Sequence, residues 1–324
     1  MKLSFITFDF DKFTAEMQDL KQKGFDYLVT IVGEDFSKTP DYQPGEPALG
    51  CIYILENTQT HERCSVKMMT RTQVCGDGMS SNGTGETDGQ QIPYLPTVSH
   101  IWRVADLLER EVYDFYGIVF LGHPDMRRLF LRSDFKGFPF RKDWEYNDKY
   151  TLEDDVEPDY GLEYFIDKDG RLQSKKNRLF TADDYVVNIG PQHPSTHGVL
   201  RLQTVLDGET VKRVYPHLGY IHRGIEKMCE SYTYPQTLAL TDRLNYLSAM
   251  MHRHALVGAI EEGLEVELTD RIKYIRTIMD ELQRLDSHLL YVGCCAQDMG
   301  ALTAFLYSMR DREHVLNCME ETTG

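Results

Sequence analysis

Two histidines stand four residues apart in a short segment that proline and glycine keep out of regular structure. The segment NIGPQHPSTHGVLRL places His193 and His197 between Gly190 and Gly198, and proline fixes the backbone angle φ while removing a hydrogen-bond donor. An imidazole changes its charge near neutral pH, so it can hold a proton and release it in a reaction. A histidine on a loop is also commonly an ordinary turn residue, and both interpretations are open for His197.

Charge and hydropathy limit the classes of protein to which the chain can belong. It has 324 residues and a formal net charge of −16, which argues against nucleic acid because phosphate contacts need clustered Lys and Arg. The sequence shows no apolar run approaching the roughly 18 residues of a transmembrane helix, no polybasic patch for anionic lipid and no secretory signal. These features predict a protein that lies in the cytoplasm or contacts a membrane only through a partner.

The cysteines argue against a metal centre held by this chain. Seven cysteines are spread along the sequence without a regular framework, which is typical of reduced thiols in a reducing compartment. No two have CxxC spacing, and the neighbours Cys294 and Cys295 are too cramped to act as a pair of cluster ligands. We therefore predict that the chain binds no metal and no iron–sulfur cluster of its own.

The first part of the chain has the mixed periodicity of an α/β domain. Helical spacing predicts a helix over residues 13–23. Short apolar runs predict three strands, over residues 27–32, 51–55 and 65–69. A second helix is predicted over residues 101–111, with Val104, Leu107 and Leu108 on its inner face.

An acidic stretch separates this part from the next. Residues 141–184 contain many acids with interspersed glycine and proline, which predicts an extended linker between two domains. Phe165, Leu179 and Phe180 within it are expected to dock on a neighbour. A Gly- and Ser-rich stretch over residues 75–91 indicates a surface loop.

Beyond the linker, the pattern changes from strand to helix. Three strands are predicted, over residues 185–189, 199–206 and 210–215. The dipeptide Asp207-Gly208 indicates a hairpin between the second and the third. Residues 271–292 carry apolar side chains on one face of a long helix, whereas residues 242–262 are apolar on two sides, as in a helix at the middle of a bundle.

Two groups of motifs carry a resemblance to a known family. EREVYDFYGIVFLGHPDMRRLFL, with FPFRKDW after it, closely resembles the signature of the C subunit of proton-pumping NADH:quinone oxidoreductase, respiratory complex I. NIGPQHPSTHGVLRL and PHLGYIHRGIEKM are similar to the D subunit almost residue for residue, as are DRLNY, ELQRLDSHLL and DMGALTAFLYSMRDRE. Several long motifs in family order make the resemblance specific. Fusion of the C and D subunits into one polypeptide is known in this family.

The resemblance implies an α+β fold in three parts. Residues 1–140 would form a C-like α/β domain, and residues 141–184 the linker. Residues 185–324 would form a small β portion followed by a D-like helical bundle, related to the large subunit of [NiFe]-hydrogenases. Because the D subunit of the family continues further, the chain is expected to be truncated within its D part and to be inactive by itself.

The resemblance also implies an activity and the residues that perform it. The family is a membrane translocase in which electrons pass from an iron–sulfur cluster in a partner subunit to quinone. The reduced quinone oxygens need hydrogen-bond donors where negative charge develops. By resemblance, His197 donates a proton, Tyr246 is the other donor, and Asp298 orients the histidine as a general acid.

Further residues and partners follow from the same resemblance. His193 would help to bind the quinone cofactor, and Arg243 and His288 would lie near the terminal cluster of the partner. The expected partners are the iron–sulfur B subunit and the membrane H subunit, on the cytoplasmic side of the bacterial inner membrane. Which quinone is used, and whether NADH or another carrier supplies electrons, depends on subunits other than this chain.

Each of these residues also has a simpler interpretation. Tyr246 on an apolar helix face is by default a core tyrosine, and Asp298 is compatible with a helix cap. His288 flanks an apolar stripe, where a buried structural histidine is common, and Arg243 suits a salt bridge at a helix start. Asn245 stands where the family commonly has Asp, which places a departure beside the expected site.

Three rival functions can be weighed on the sequence. A [NiFe]-hydrogenase large subunit would need a CxxC pair near Cys229, but Glu226 and Tyr232 occupy the partner positions. A zinc hydrolase is disfavoured because HEXXH is absent and Pro194 would break the required helix. Its ligands would come from four histidines, His193, His197, His217 and His222. The third rival is an inactive structural fragment.

Overall fold

A computed structural model of the protein describes residues 5–40, 42–75, 91–145 and 160–324. By their internal contacts these residues divide into two compact units, with the boundary between His222 and Arg223. The first unit contains sheets and two helices, and the second, Arg223–Gly324, is helical. The fold is therefore mixed α+β, as predicted, with the sheets in the N-terminal part and the helices in the C-terminal part.

The first unit has two α-helices and twelve strands within the described residues. The helices are α1 (Phe13–Gln22) and α2 (Ala105–Tyr116). The strands are β1 (Ile6–Thr7), β2 (Tyr27–Asp35), β3 (Leu49–Glu56), β4 (Arg63–Met69), β5 (Arg71–Val74), β6 (Gln91–Pro96), β7 (Val119–Leu121), β8 (Tyr160–Ile166), β9 (Leu172–Arg178), β10 (Tyr185–Ile189), β11 (Arg201–Asp207) and β12 (Thr210–His217). They form sheets in the orders β1-β4-β3-β2, β5-β6-β7, β8-β9 and β10-β11-β12. The predicted loop over 75–91 lies almost entirely outside the described residues.

The core of the first unit lies against the four-stranded sheet. Helix α1 buries Phe13 and Met17, as the predicted helical spacing requires. Strand β3 buries alternate residues such as Tyr53 and Leu55, because side chains on a strand point to opposite faces. Helix α2 crosses β2 at Gly33, where a β-carbon would overlap the ring of Tyr116. The predicted helix over 13–23 and the three predicted strands are confirmed.

The second predicted helix is confirmed, but its bounds and its inner face differ from the prediction. Helix α2 begins at Ala105 instead of residue 101, and Val104 and Leu107 are 46 and 41 % exposed. Its buried face includes two carboxylates, Glu109 and Asp114, which are fully inaccessible. Apolar periodicity misassigned the face because it assumes that charged side chains point outward.

Residues predicted to form an extended linker contain a β-hairpin. Strands β8 and β9 pair antiparallel, and β8 buries Leu162 and Tyr164 in the core of the first unit. Two backbone hydrogen bonds attach it to the segment after β7, from Gly122 to Tyr164 at 3.4 Å and from Met126 to Leu162 at 2.6 Å. This strand pair was not predicted, because the segment is acidic and only a few of its residues are buried.

The following residues dock on the last strand of the unit. Leu179 is buried and its carbonyl accepts from Arg213 at 2.9 Å. Phe180 packs edge-on against Tyr215, with ring centroids 5.4 Å apart. Docking of Leu179 and Phe180 is thus as expected, whereas Phe165 is 42 % exposed.

The three strands predicted beyond the linker are confirmed and form one antiparallel sheet. Strand β11 pairs with both β10 and β12. Gly208 in the connecting turn has φ of +60°, which suits the left-handed conformation of a tight hairpin. These strands belong to the first compact unit, so the division of the chain falls after His222 instead of at the predicted residue 185.

The second unit consists of helices. They are α3 (Ile225–Cys229), α4 (Tyr234–Thr241), α5 (Ala249–Gly263), α6 (Asp270–Asp298) and α7 (Leu302–Thr323). Met279 on α6 packs with Val315 and Met319 on α7. The long helix predicted over 271–292 is confirmed, but several residues of its apolar face, such as Leu285 and Val292, are about half exposed.

The helix predicted over 242–262 begins seven residues later. Residues 242–248 form turns instead, and α5 starts at Ala249. The side chain of Asn245 accepts from the backbone N–H of Leu247 at 3.1 Å, a local bond that competes with helix formation. Asp242 also reaches across the turn to Arg253, at 2.8 Å. In the part of the chain that the structure describes, no helix has both the length and the apolar composition to cross a bilayer.

Candidate functional site

His197 lies exposed on a tight connection between β10 and β11. The backbone N–H of His197 bonds to the carbonyl of Pro194 at 3.3 Å, and that of Thr196 to the carbonyl of His193 at 3.1 Å. A bridge between Gln192 and Val199 closes the loop. His193, the other candidate of this loop, is exposed as well. The predicted turn between two strands is confirmed.

The backbone at His197 has an unusual conformation. Its φ is +48°, a left-handed angle that few residues other than glycine adopt. Such a conformation costs on the order of 1 kcal/mol and is retained where surrounding structure enforces it, often at functional sites. The loop thus holds this imidazole outward at a conformational cost.

Tyr246 lies in the turn before α5, with 61 % of its surface exposed. The interpretation of Tyr246 as a core tyrosine therefore does not hold in this chain. The next residue, Leu247, is bonded on both sides, since its N–H donates to Asn245 and its carbonyl accepts from Gln283 at 3.0 Å. The turn that carries the phenol is consequently fixed to helix α6.

Gln283 belongs to a buried polar network between α6 and α7. Its Nε2 also donates to Oδ2 of Asp286 at 3.1 Å, and Asp286 is 1 % exposed. Arg312 on α7 forms an ion pair with Asp286, with Nε and Oδ1 2.9 Å apart and Nη2 donating to Oδ2 at 3.2 Å. A carboxylate taken out of water needs such partners, because its desolvation costs several kcal/mol.

Asp298 is the last residue of α6 and is exposed. The helix cap considered for it would require a position before a helix, but α7 begins at Leu302 after Ala301 as its N-cap. A carboxylate at a helix C-terminus meets the negative end of the helix dipole. The location of Asp298 is therefore not explained by helix stability.

The two residues expected near a partner's cluster are also exposed. His288 lies on the outside of α6 and is not a buried structural histidine. Arg243 lies in the same turn as Tyr246, and among the described residues no carboxylate forms an ion pair with it. Its neighbour Asp242 is paired with Arg253 instead. The salt bridge suggested for Arg243 is absent from the described part of the chain.

The candidates are divided between the two units. His193 and His197 lie in the first unit, and Tyr246, Arg243, His288 and Asp298 lie in the second. Within the second unit, the hydrogen bond from Gln283 connects the turn of Tyr246 to the long helix that ends at Asp298.

The charged residues of the EREVYDFYG motif are buried anchors of the first unit. Oδ2 of Asp114 accepts from three consecutive backbone N–H groups, at 2.7 to 3.1 Å. Those groups belong to Leu129, Phe130 and Leu131. Arg128 donates to Oδ1 of Asp114 at 2.9 Å, so this carboxylate fixes the segment after β7. The motif that carried the resemblance therefore has a structural explanation here.

Glu109 is the other buried carboxylate of that motif. Its Oε1 accepts from the N–H of Val98 at 2.7 Å and its Oε2 is hydrogen-bonded to Thr97 at 2.6 Å. Burial raises the pKa of Glu109 to about 7, against the opposing effect of these hydrogen bonds. Nearby, Nδ1 of His123 accepts from the N–H of Asp125 at 3.0 Å, so the proton of this ring is on Nε2.

The four histidines considered as zinc ligands serve different contacts. His217 lies 3.1 Å from Oε1 of Gln203. His222 stacks on Phe115 and packs against Phe130, with centroid distances of 4.9 and 5.6 Å. Among residues 5–40, 42–75, 91–145 and 160–324, no group of three or more His, Cys, Asp or Glu side chains is arranged to hold a metal ion.

Two features of the site region could not be inferred from residue patterns. The bond between Gln283 and Leu247 joins residues 36 positions apart, and nothing in the spacing of a glutamine indicates a carbonyl partner. The burial of Asp114 and Arg128 against each other also has no signal in the spacing, because the same segment contains several other acidic and basic residues.

Comparison with known proteins defines the class to which the chain is similar. Residues 6–150 match the family described as respiratory-chain NADH dehydrogenase, 30 Kd subunit. A solved structure titled "Nqo5 of the trypsin-resistant fragment (1-134)" is 32 % identical over 37 % of this chain and 80 % of that chain, with a TM-score of 0.29.

Relatives that span the motifs of both parts narrow the class further. The C/D subunit of NADH-quinone oxidoreductase from Phocaeicola vulgatus is 50 % identical over 97 % of this chain and 56 % of the relative. The C/D subunit of Bacteroides fragilis is 49 % identical over 94 % of this chain and 55 % of the relative. One C/D subunit of Aquifex aeolicus is 35 % identical over 94 % of this chain and 50 % of the relative. The chain belongs to the family of fused C/D subunits of NADH-quinone oxidoreductase, and it spans about half the length of these relatives.

Proposed function

We propose that this chain acts as a peripheral-arm subunit of a proton-pumping NADH:quinone oxidoreductase, in which it forms part of the quinone site. Similarity over nearly the whole chain to fused C/D subunits is the observation that carries this proposal. Its partners would be other subunits of the complex, among them the iron–sulfur B subunit and the membrane H subunit. The chain would contact the bacterial inner membrane only through them, on its cytoplasmic side.

The proposed chemistry assigns a role to each exposed candidate. His197 donates a proton to one oxygen of the reduced quinone, and Tyr246 donates a hydrogen bond to the other. Asp298 orients His197, and His193 helps to bind the headgroup. Three observations support these roles: the left-handed backbone at His197, the fixed turn beneath the exposed Tyr246, and the location of Asp298 at a helix end that a carboxylate does not stabilise.

Electrons would reach the quinone from outside this chain. A partner's iron–sulfur cluster supplies them, and Arg243 and His288 would lie near it and influence its potential. The helical unit would share its ancestry with the large subunit of [NiFe]-hydrogenases. It lacks the CxxC pair that nickel would require near Cys229, since Glu226 and Tyr232 occupy the positions three residues away.

The substitution Tyr246→Phe tests the proposed site in the assembled complex. It removes one phenolic hydrogen bond from the quinone, and we expect the quinone reductase kcat/KM to fall about tenfold or more. Reduction of an artificial acceptor that takes electrons before the quinone should be unchanged. Tyr274→Phe, at another exposed tyrosine of the same unit, is the matched control and should behave as wild type.

A second variant separates proton donation from binding. His197→Gln keeps a hydrogen-bond donor but removes the proton that the imidazole would give up, so kcat should fall with little change in quinone KM. Equal quinone turnover in Tyr246→Phe, His197→Gln and Tyr274→Phe would contradict the proposed site. A chain that never copurifies with other subunits would contradict the proposed role in the complex.

A further inference from the structure

A cavity of about 330 Å³ in the first unit is lined by an unusual concentration of arginine. Its walls come from Arg110 on α2, from the segment after β7 and from the end of β12 with the residues that follow. The last two walls are in close contact, because Gly219, with φ of +96°, packs directly against the carbonyl of Phe130. Four arginines line this cavity, Arg110, Arg127, Arg128 and Arg132.

Three of the four arginines are neutralised by a carboxylate. The nitrogen–oxygen distances lie between 2.7 and 3.0 Å, in the pairs Arg127–Asp125, Arg128–Asp114 and Arg132–Asp134. Each of these guanidinium groups therefore already has a counter-charge.

Arg110 differs from the other three. It is 8 % exposed, and its Nε and Nη2 donate to the carbonyls of Arg127 and Arg128 at 3.0 and 3.1 Å. Within the described residues it forms no ion pair with a carboxylate. Carbonyl oxygens satisfy two of its N–H groups but supply no negative charge, and a desolvated charge without a counter-ion is costly.

Burial also affects the protonation equilibrium of Arg110. Its pKa is lowered from the ordinary value, chiefly by burial; the negative charges of Asp125, Asp106 and Asp114 oppose this lowering, and the positive charge of Arg127 adds to it. The whole chain carries a net charge of −16. This cavity is thus a positive site on an acidic protein, and the charge is held in place by folded structure and not by flexible surface side chains.

Most of the remaining wall of the cavity is apolar, and Ser133 and His217 are its polar members. Leu129, Leu131, Leu218 and Tyr220 line it beside the arginines. A planar guanidinium presents parallel N–H groups that match the two oxygens of a carboxylate or phosphate. An apolar wall next to such a group favours a ligand that carries an apolar body as well as an anionic end.

We propose that this cavity binds an oxyanion, a carboxylate or phosphate, attached to an apolar body, with Arg110, which forms no ion pair among the described residues, as its main cationic partner. The anion would complete the pairing of Arg110, and the leucine side chains would cover the apolar body. This assignment is independent of the quinone site.

Calorimetric titration of the full 324-residue chain tests the proposal. The probes are phenyl phosphate, phenylacetate and, as a neutral analogue, benzyl alcohol, all at constant ionic strength. We expect saturable binding of at least one anion, at least tenfold tighter than benzyl alcohol. Preference for phenyl phosphate or for phenylacetate identifies which oxyanion the site takes. Absence of saturable anion binding, or equal affinity for the neutral analogue, overturns the proposal.

Matched variants locate the binding to the cavity. Arg110→Gln should weaken anion binding at least tenfold, and Arg110→Lys should restore part of it because the charge is kept. Arg63→Gln removes an exposed arginine on β4 that pairs with Glu56 at 2.6 Å, and it should bind as wild type. Equal affinity in Arg110→Gln and Arg63→Gln overturns the assignment of Arg110.

A further variant protects the test against misfolding at the buried position. If circular dichroism shows that Arg110→Gln is unfolded, Arg132→Gln takes its place, since Arg132 lines the same cavity and its side chain is 36 % exposed. We expect several-fold weaker anion binding for Arg132→Gln, and unchanged binding would overturn the proposal.

Discussion

Gln283 donates a hydrogen bond of 3.0 Å to the carbonyl of Leu247, and this bond attaches the turn that carries Tyr246 to the longest helix of the described chain. The same amide also reaches Asp286. One side chain therefore connects an exposed phenol, through its neighbour in sequence, to a buried ion pair between α6 and α7.

Replacing Gln283 by Met should destabilise the helical unit by about 2 kcal/mol. Methionine has similar length but donates no hydrogen bond, so Leu247 and Asp286 each lose a partner, and a buried acceptor without a donor is costly. Urea unfolding followed by far-ultraviolet circular dichroism measures the change. Gln297→Met, at an exposed position of the same helix, should leave the midpoint unchanged; equal midpoints for both variants would contradict a role for Gln283.

Loss of Arg312 should be more damaging than loss of its neighbour Arg310. Arg312→Met leaves Asp286 charged and 1 % exposed without its cation, and breaking such a pair costs about 3 kcal/mol. Arg310 pairs with Asp311 on the surface, where both side chains are more than half exposed, and such pairs contribute little. Arg310→Met should therefore be near wild type in the same unfolding experiment, and a reversed order would refute the network.

Gly219 should be far less tolerant of alanine than Gly208. Both have positive φ, but a β-carbon at Gly219 would overlap the carbonyl of Phe130, whereas nothing lies within 4 Å of one at Gly208. We expect a loss of about 1 kcal/mol for Gly208→Ala from backbone strain alone. Gly219→Ala should cost about 3 kcal/mol because steric overlap adds to strain. Fluorescence reports this unfolding, since Trp102 and Trp144 both lie in the first unit.

Glu109 should make the stability of the first unit depend on pH. Its pKa is about 7 in the folded protein and 4.5 when unperturbed, so folding favours the protonated form. The stabilisation is complete below about pH 4.5 and is lost as pH rises towards 7, a change of about 3 kcal/mol. Glu109→Gln cannot ionise, and its stability should be flatter between about pH 5 and 7 when unfolding is followed by tryptophan fluorescence. Parallel pH profiles for the two proteins would show that Glu109 does not titrate in this range.

The local spacing of apolar residues predicted many of the helices and strands. What it missed depends on hydrogen bonds and ion pairs made by polar side chains. Alternating and helical apolar spacing located α1, six of the twelve described strands of the first unit and α6, because each buries one face. It failed at α2, where Glu109 and Asp114 are buried, and at residues 242–248, where Asn245 replaces a helical bond. In both cases a polar side chain satisfied the backbone, and no count of apolar residues can detect such a bond.

The candidate site was predicted almost entirely by resemblance. From residue types alone, His197, Tyr246 and Asp298 each had a simpler explanation. Two of these explanations do not hold in the structure, because Tyr246 is exposed and Asp298 lies at the C-terminal end of a helix. The arginine cavity was not predicted, because its walls come from segments about 90 residues apart in the sequence and pairing of arginines with carboxylates cannot be read from their spacing.

The packing of His222 against the mutually stacked rings of Phe115 and Phe130 has a consequence for how the protein is made. Ribosomes add about 5 to 20 residues each second, so His222 emerges several seconds or more after the aromatic rings that it covers. During that interval the nascent chain exposes an apolar, aromatic surface to which chaperones can bind. Slowing of translation within β10 to β12 should therefore raise aggregation of this protein more than the same pause placed after His222.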